Sequence, residues 1–242
     1  MSEERPIYAV KATAPAPAEF DATVVESDAH AKANTRDTLA ATADSRASQR
    51  RQQVLEAAEH CFRACGFHSA SIASIAKKAG MSSGHIYHYF ENKEAIIGAS
   101  VAHDAEVTVE RMEGFARSDD VLATLVEQAE GALMRSLDAS RNALVMEILA
   151  EAGRNARVAE QVQAADVQVA QVLQGLVRRA WQAKHPEQVL ADDVVAAKVD
   201  MLGAMVDGIR IRAIRNPKVN PEALLTQLRS AVRHILEQAD GT

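Results

Sequence analysis

The chain is poor in the residues that build sheets, turns and crosslinks. Its 242 residues include 11 glycines, 6 prolines and 2 cysteines, and only 4% are aromatic although 48% are hydrophobic. Few aromatic residues beside many Ala, Val and Leu favour helices over sheets. Two cysteines cannot form a disulfide framework, which favours a reducing cytoplasm. No uninterrupted apolar run is long enough for a transmembrane helix, and no apolar segment near the start predicts a secretory signal.

Positive charge is also scarce, except in one segment. The net charge of the chain is −6, which argues against a generic nucleic-acid binder. Residues 1–46 carry −3, residues 47–93 carry +3, and residues 94–242 carry −6. An acidic chain with one basic segment is typical of a protein that meets phosphates at one end.

The basic segment contains a pattern for two short helices joined by a tight turn. Its first helix has an apolar face at spacings of three and four, formed by Ile72, Ile75, Ala76 and Ala79. Gly80 can turn the chain with positive φ, and Ser82 is a candidate N-cap. The second helix has Ile86, Tyr87 and Phe90 as its expected packing set. Its other positions are small or polar, which suits insertion into a DNA groove.

Helices are predicted on both sides of this pair. One spans about 48–65, and another begins with Asn92 as its N-cap and continues to about Arg117. Five more are predicted at about 121–137, 143–152, 158–183, 192–215 and 221–238. Residues 1–46 have no sustained apolar period, so we expect a mostly disordered arm in which a short helix at about 29–43 can form. A DNA-touching arm is the alternative, against which its net negative charge argues.

Residues 50–98 resemble the N-terminal DNA-binding domain of the TetR family of bacterial transcriptional regulators. The resemblance rests on an ordered set of residues: Phe62, Gly66–Phe67, Ser71, Ile75–Ala76, Ala79–Gly80, Gly84, Ile86–Tyr87, Tyr89–Phe90 and Lys93–Glu94. Tyr89 departs from the family, which usually has His there, and the long arm before the first helix is a second departure.

The resemblance implies an all-α fold and a regulator rather than an enzyme. It predicts a three-helix helix-turn-helix DNA-binding domain (47–93) and a helical effector-binding and dimerisation domain (94–242), which follow the arm (1–46). It implies a cytoplasmic homodimer that binds a palindromic double-stranded DNA operator, most often as a repressor, and is released by a small-molecule inducer. No cofactor, metal or membrane partner is expected.

The resemblance also assigns roles to individual residues. Hydroxyl, phenol and ammonium groups would hold phosphates, imidazoles would face base edges or phosphates, and a glycine would allow close approach of the helix. The DNA-binding residues implied in this way are Ser71, Ser82, Ser83, Gly84, His85, Tyr87, His88, Tyr89 and Lys93. Alternatives remain open: Tyr87 as a core aromatic, Ser82 as a cap only, and His85 with His88 as a solvated pair or a metal site.

Effector-binding residues are harder to predict, because an apolar wall with a few polar groups resembles a helical core. Candidates from the middle helices are His103, Phe115, Met134, Met146, Glu147, Glu151 and Trp181. An enzyme is the rival from another class, since Glu147 and Glu151 lie four apart and could act as paired carboxylates. Cys61 and Cys65 could bind a metal, but the neighbouring His60 and His68 do not complete a recognised ligand pattern.

The last two predicted helices have apolar residues at alternating steps of four and three. In the first they are Val195, Val199, Leu202, Val206, Ile209 and Ala213, and in the second Leu224, Leu228, Ala231 and Ile235. Two such helices from each subunit would form a four-helix bundle across a two-fold axis, whereas packing within one chain is the alternative. The resemblance favours the dimer.

Overall fold

The computed structural model describes the backbone of residues 22–238 and the side chains of residues 45–238. In this part of the chain there are nine α-helices and no strand. They are α1 (Ala22–Ser69), α2 (Ile72–Ala79), α3 (Ser83–Tyr89), α4 (Lys93–Phe115), α5 (Val121–Leu137), α6 (Ala139–Ala152), α7 (Ala156–Lys184), α8 (Asp192–Arg215) and α9 (Pro221–Glu237). The predicted all-α fold class is confirmed.

Side-chain caps start four of the five helices α5 to α9, and α8 begins without one. Helices α5 and α8 have the bounds that the apolar pattern predicts. Helix α6 starts four residues before its predicted start, because Asp138 accepts a hydrogen bond from the main-chain N–H of Arg141 at 3.0 Å. Helix α9 begins as predicted, with Asn220 as its N-cap and Pro221 in its first turn.

The described residues fall into two compact units, of which the first ends at Gln49 and the second begins at Arg50. In the first unit the backbone is helical from Ala22, so the helix is longer than the short one predicted at about 29–43. Alanine has the highest helix propensity and is frequent here. Residues 1–21 lie outside the described part of the chain. The predictions that they are disordered and contain no secretory signal therefore concern residues that the structure does not describe.

The second unit contains two hydrophobic cores. The first core joins the end of α1 to α2, α3 and the start of α4, and it also includes Leu144 of α6 and Val158 of α7. The second core joins α5, α7, α8 and α9 around the only tryptophan, Trp181, which is 3% exposed. Helices α6 and α7 therefore help to hold the helix-turn-helix in place.

The turn between α2 and α3 follows the predicted chemistry. Gly80 adopts the left-handed conformation at φ 64°, and its N–H donates to the carbonyls of Ala76 and Lys77. Ser71 and Ser74 form a reciprocal capping box at the start of α2. The hydroxyl oxygen of Ser82 accepts from the N–H of His85 at 3.2 Å and so starts α3.

A corner at residues 66–70 connects α1 to α2. Gly66 interrupts the helical dihedrals at φ 78° and ψ 161°, a region that is open essentially only to glycine. The next N–H, of Phe67, donates to the carboxylate of Glu147 at 3.0 Å. A Cβ on Gly66 would lie 3.3 Å from the same carboxylate, so glycine also leaves room for it.

Lys93, the first residue of α4, holds the corner from the other side. Its ammonium group donates to the carbonyls of Phe67, His68 and Ala70 at 2.5, 3.3 and 2.9 Å, and it lies 4.2 Å from the centre of the Phe67 ring. An ammonium group has three donors, and these contacts use all of them. Lys93 thus fixes the corner to the N-terminus of α4.

In the described part of the chain, no helix has the length and apolar composition needed to cross a membrane.

We expect Lys93→Met to lower the free energy of unfolding by about 1.5–3 kcal/mol, the range for hydrogen bonds to charged groups, because three carbonyls lose their donor. Urea denaturation measures this change. The matched control is Lys77→Met, which removes an exposed lysine of α2 and should change stability by less than about 0.5 kcal/mol. Equal stabilities of the two variants would contradict the role given to Lys93.

Candidate nucleic-acid interface and ligand cavity

Helix α3 presents one polar face to solvent and packs its other face against the first core. Ile86 and Phe90 are buried, as predicted. Tyr87 is 56% exposed, so its prediction as a packing residue is wrong. Tyr89 packs partly against the core instead, because it lies three residues after the buried Ile86 and next to the buried Phe90. The exposed face therefore contains Tyr87 among the residues expected to contact DNA.

Tyr89 also places the two histidines of α3. Its ring stacks on the imidazole of His85, with 5.4 Å between the ring centres, and meets the edge of His88 at 5.2 Å. Both imidazoles are exposed, and so is Gly84. A Cβ on Gly84 would have the Ser82 hydroxyl as its nearest neighbour, at 4.0 Å, so packing within the chain does not require glycine here.

The predicted serine contacts sit at the starts of α2 and α3. Ser71 and Ser82 are exposed N-caps whose oxygens accept main-chain hydrogen bonds, and a hydroxyl that accepts in this way can still donate its own proton. Ser83 is half-buried in the first turn of α3. Direct phosphate contacts by these three serines stay predictions.

Lys93 has a place that the sequence did not predict. Its ammonium group is directed into the corner at residues 66–70, where three carbonyls accept its protons. Its predicted contact with a phosphate stays a prediction, and its observed contacts are those of a positioning residue. Two further contacts fix the helix-turn-helix to α1: Gln53 donates to the carbonyl of Ala79 at 2.8 Å, and the Arg51 guanidinium lies 5.1 Å from the Phe90 ring centre.

Helices α4 to α9 line a partly open cavity of about 450 Å³, a usual size for a small-molecule site. Its wall is mostly apolar. The apolar part includes Val101, Ala105, Met112, Phe115, Leu125, Val145, Ile148, Val162, Val169, Leu173, Met205 and Val232. Phe115 is the one aromatic residue in this lining and the one predicted effector residue that belongs to it.

The other predicted effector residues do not line this cavity, and their role in ligand binding stays a prediction. Met134 is 57% exposed on α5, and Met146 is half-buried on α6. His103 lies 3.9 Å from Glu106 at the surface of α4. Trp181 belongs to the second core and stacks on His185, with 4.0 Å between the ring centres.

The two carboxylates that suggested an enzyme bind the corner at residues 66–70 instead. Glu147 accepts from the N–H of Phe67. Glu151 is buried, lies 3.2 Å from the His68 imidazole, and accepts hydrogen bonds from Arg154 and Asn155. These partners explain the pair structurally. Over the residues with described side chains, no group of three or more His, Cys, Asp or Glu is arranged to hold a metal ion.

Charged groups in the cavity wall were missed by sequence reasoning, because scattered arginines on amphipathic helices resemble solvated residues. The wall contains four arginines and three aspartates: Arg111, Arg135, Arg141, Arg210, Asp104, Asp166 and Asp207. Two ion pairs form among them, Arg141 with Asp104 at 3.0 Å and Arg210 with Asp207 at 3.3 Å. These groups come together only when several helices pack against one another, and a single sequence does not show that packing.

Two family models match the chain. Residues 54–99 match the family described as "Bacterial regulatory proteins, tetR family", and residues 123–237 match "BetI-type transcriptional repressor, C-terminal". The first match covers the helix-turn-helix and the corner at residues 66–70, and the second covers α5 to α9.

The relatives found are transcriptional regulators rather than enzymes. HTH-type transcriptional regulator UidR of Escherichia coli (strain K12) is 37% identical over 113 residues, which are 45% of this chain and 55% of the relative. The chain thus spans about half the length of this curated relative. FadR of Bacillus subtilis, solved in complex with stearoyl-CoA, is 20% identical with a TM-score of 0.62, covers 75% of this chain and 96% of its own, and shares the fold.

The solved structure of Salmonella enterica GusR gives the most extensive match among those named. It is 30% identical, its TM-score is 0.64, and the alignment covers 78% of this chain and 95% of that one. The exposed polar face of α3, the two family models and this likeness agree. The chain belongs to the TetR family of bacterial regulatory proteins.

Proposed function

We propose that this protein is a ligand-responsive transcriptional repressor of the bacterial cytoplasm, where its DNA target lies. Two subunits place α3 in successive major grooves of a palindromic operator, and a small molecule in the cavity releases them. The exposed imidazoles and phenols of α3 supply hydrogen bonds to base edges and phosphates. The basic segment at residues 47–93 supplies the attraction to phosphate that an acidic protein otherwise lacks.

The observation that carries the ligand response is the double role of α6. One side of this helix contributes Arg141, Val145 and Ile148 to the cavity wall. Its carboxylates Glu147 and Glu151 hold the corner at residues 66–70. A ligand that shifts α6 must therefore move or release the corner on which the helix-turn-helix is mounted.

Packing gives a second connection between the cavity and the helix-turn-helix. Val101, Ile148 and Val162 line the cavity and also pack against the first core. Because packed cores are not continuously deformable, a displacement of these side chains is transmitted rather than absorbed. Each of the three residues comes from a different helix, α4, α6 and α7.

The proposed dimer interface lies on α8 and α9. Helix α8 exposes apolar residues, including Met201 at 54% and Ile211 at 47%. Between them, a Cβ placed on Gly208, which is outside the cavity wall, would meet no atom within 4 Å, so this stretch of α8 is open. Exposed apolar side chains beside small residues favour close packing of helices from two subunits.

Gly84→Ala tests the DNA contact. The added methyl group has room within the chain, so the free energy of unfolding should stay the same or rise by up to about 1 kcal/mol through helix propensity. At a groove the methyl group would obstruct close approach, and the operator Kd should rise at least about tenfold, or 1.4 kcal/mol. Footprinting on the DNA upstream of the protein's own gene locates the operator, and titration in a gel shift gives the Kd.

The matched control for this experiment is Gly175→Ala on α7, where a Cβ also meets no neighbour within 4 Å. It should leave operator binding unchanged. If wild type shows no salt-sensitive, palindrome-specific binding, the proposed function fails as a whole. If Gly84→Ala binds the operator as well as Gly175→Ala does, α3 is not the groove-reading helix.

Met201→Glu tests the dimer. A carboxylate would lie unpaired in the apolar interface, so sedimentation velocity should show a monomer, with weaker operator binding because two linked half-site contacts become one. Met134→Glu is the control, since Met134 is equally exposed, at 57%, but lies on α5. A dimer of unchanged stability in Met201→Glu would exclude this face of α8 as the interface.

A further inference from the structure

The cavity wall has more positive charge than its carboxylates can neutralise. Two of its arginines, Arg141 and Arg210, have aspartate partners. Among the residues with described side chains, no carboxylate lies within ion-pair distance of Arg111 or Arg135, and no hydrogen bond satisfies either guanidinium. Asp166 is the remaining acid of the wall. Two half-buried guanidinium groups without an ion-pair partner, in a wall with one more arginine than aspartate, favour the binding of an anion.

The charges nearest to Arg135 are positive. Burial lowers the pKa of its guanidinium, and the charges of Arg111, Arg141 and Arg210 lower it further. These four arginines come from α4, α5, α6 and α8, so the convergence is built by the tertiary fold rather than by one helix. Such a cluster has the form of an oxyanion site, since guanidinium groups bind carboxylate and phosphate oxygens bidentately.

Two buried donor atoms show where acceptor oxygens are missing. The Nε atoms of Arg141 and Arg210 are buried, and no acceptor among the described residues lies in hydrogen-bond reach of them. Buried donors in native proteins nearly always have a partner. Arg135 lies back over its own helix, where a Cβ on Gly131 would be only 3.1 Å from its Nη1 atom, so Gly131 leaves space for the guanidinium.

The rest of the cavity wall indicates which kind of ligand body fits. Its apolar residues enclose a volume of about 450 Å³, and its one aromatic side chain, Phe115, cannot form a cage for a quaternary ammonium group. We propose that the effector is an organic anion whose carboxylate or phosphate oxygens bind Arg111 and Arg135 and whose apolar body fills the cavity. This inference rests on the proposed function, since it takes the cavity as the effector site.

Three probes with the same eight-carbon chain test the charge of the ligand: octanoate, octanamide and octyltrimethylammonium. Octyl phosphate serves as a fourth probe, to distinguish a carboxylate site from a phosphate site. We expect octanoate or octyl phosphate to bind the full-length protein in calorimetry and to raise its thermal midpoint, and the neutral and cationic probes to bind at least about tenfold more weakly. Equal binding of the amide or the cation would overturn the proposal.

Arg135→Gln and Arg111→Gln locate the site. Each substitution should raise the Kd of the anionic probe at least about tenfold, because a charge-assisted contact is lost. The control is Arg178→Gln, which removes an arginine that pairs with Asp192 outside the cavity, and it should keep the wild-type affinity. Unchanged affinity in both cavity variants would also overturn the proposal.

The protein without ligand provides an independent measurement. Because neighbouring positive charges and burial disfavour the charged form of Arg135, Arg135→Gln should unfold at the same temperature as wild type or a higher one. Two results together would contradict the anion site. The first is that none of the anionic probes stabilises the wild type, and the second is that Arg135→Gln is less stable than the wild type.

The gel shift separates this inference from the proposed function. If the protein binds its operator and the arginine substitutions do not change its affinity for the anion, the anion site is refuted and the proposed function is not. Arginine-dependent anion binding that leaves the operator Kd unchanged refutes release by the ligand, and it leaves the anion site standing.

Discussion

The arrangement of this protein depends on how the corner at residues 66–70 is held. Gly66 breaks the helical path, and the N–H that follows it donates to Glu147 of α6 at 3.0 Å. The ammonium group of Lys93 in α4 donates hydrogen bonds to three carbonyls of the same corner. The helix-turn-helix is thus held from two sides by the helices that also line the cavity. A DNA-binding unit mounted in this way is rigid while its contacts persist and responds when α6 or α4 moves.

Local chemistry made much of the fold predictable. The capped starts at Ser82 and Asn92 and the left-handed Gly80 are short-range features, so the sequence predicted them correctly. The early start of α6 was missed because Asp138 was not recognised as a cap. Tyr87 was predicted to pack against the core, but Tyr89 does so instead. A helix of seven residues is too short for its apolar spacing to show which of the two tyrosines faces the core.

The lining of the cavity was less predictable than the turn between α2 and α3. Phe115 was found because a large apolar residue on a middle helix is a reasonable candidate, but the arginines were not, since their convergence requires four helices to pack. Glu147 and Glu151 were candidates for effector binding or for paired catalysis, and the partners that the structure gives them are a main-chain N–H and an imidazole of the corner. Contacts between residues about 80 positions apart have no signature in a single sequence.

We propose that the hold of α6 on the corner at residues 66–70 sets the operator affinity. The most direct measurement is the operator Kd of Glu147→Ala and Glu147→Gln beside wild type. Removing the acceptor of the Phe67 N–H should weaken operator binding about tenfold, although Glu147 lies outside the exposed face of α3. Glu147→Gln keeps an acceptor oxygen and should bind nearly as wild type does. An unchanged Kd in Glu147→Ala would show that this contact of α6 does not set the operator affinity.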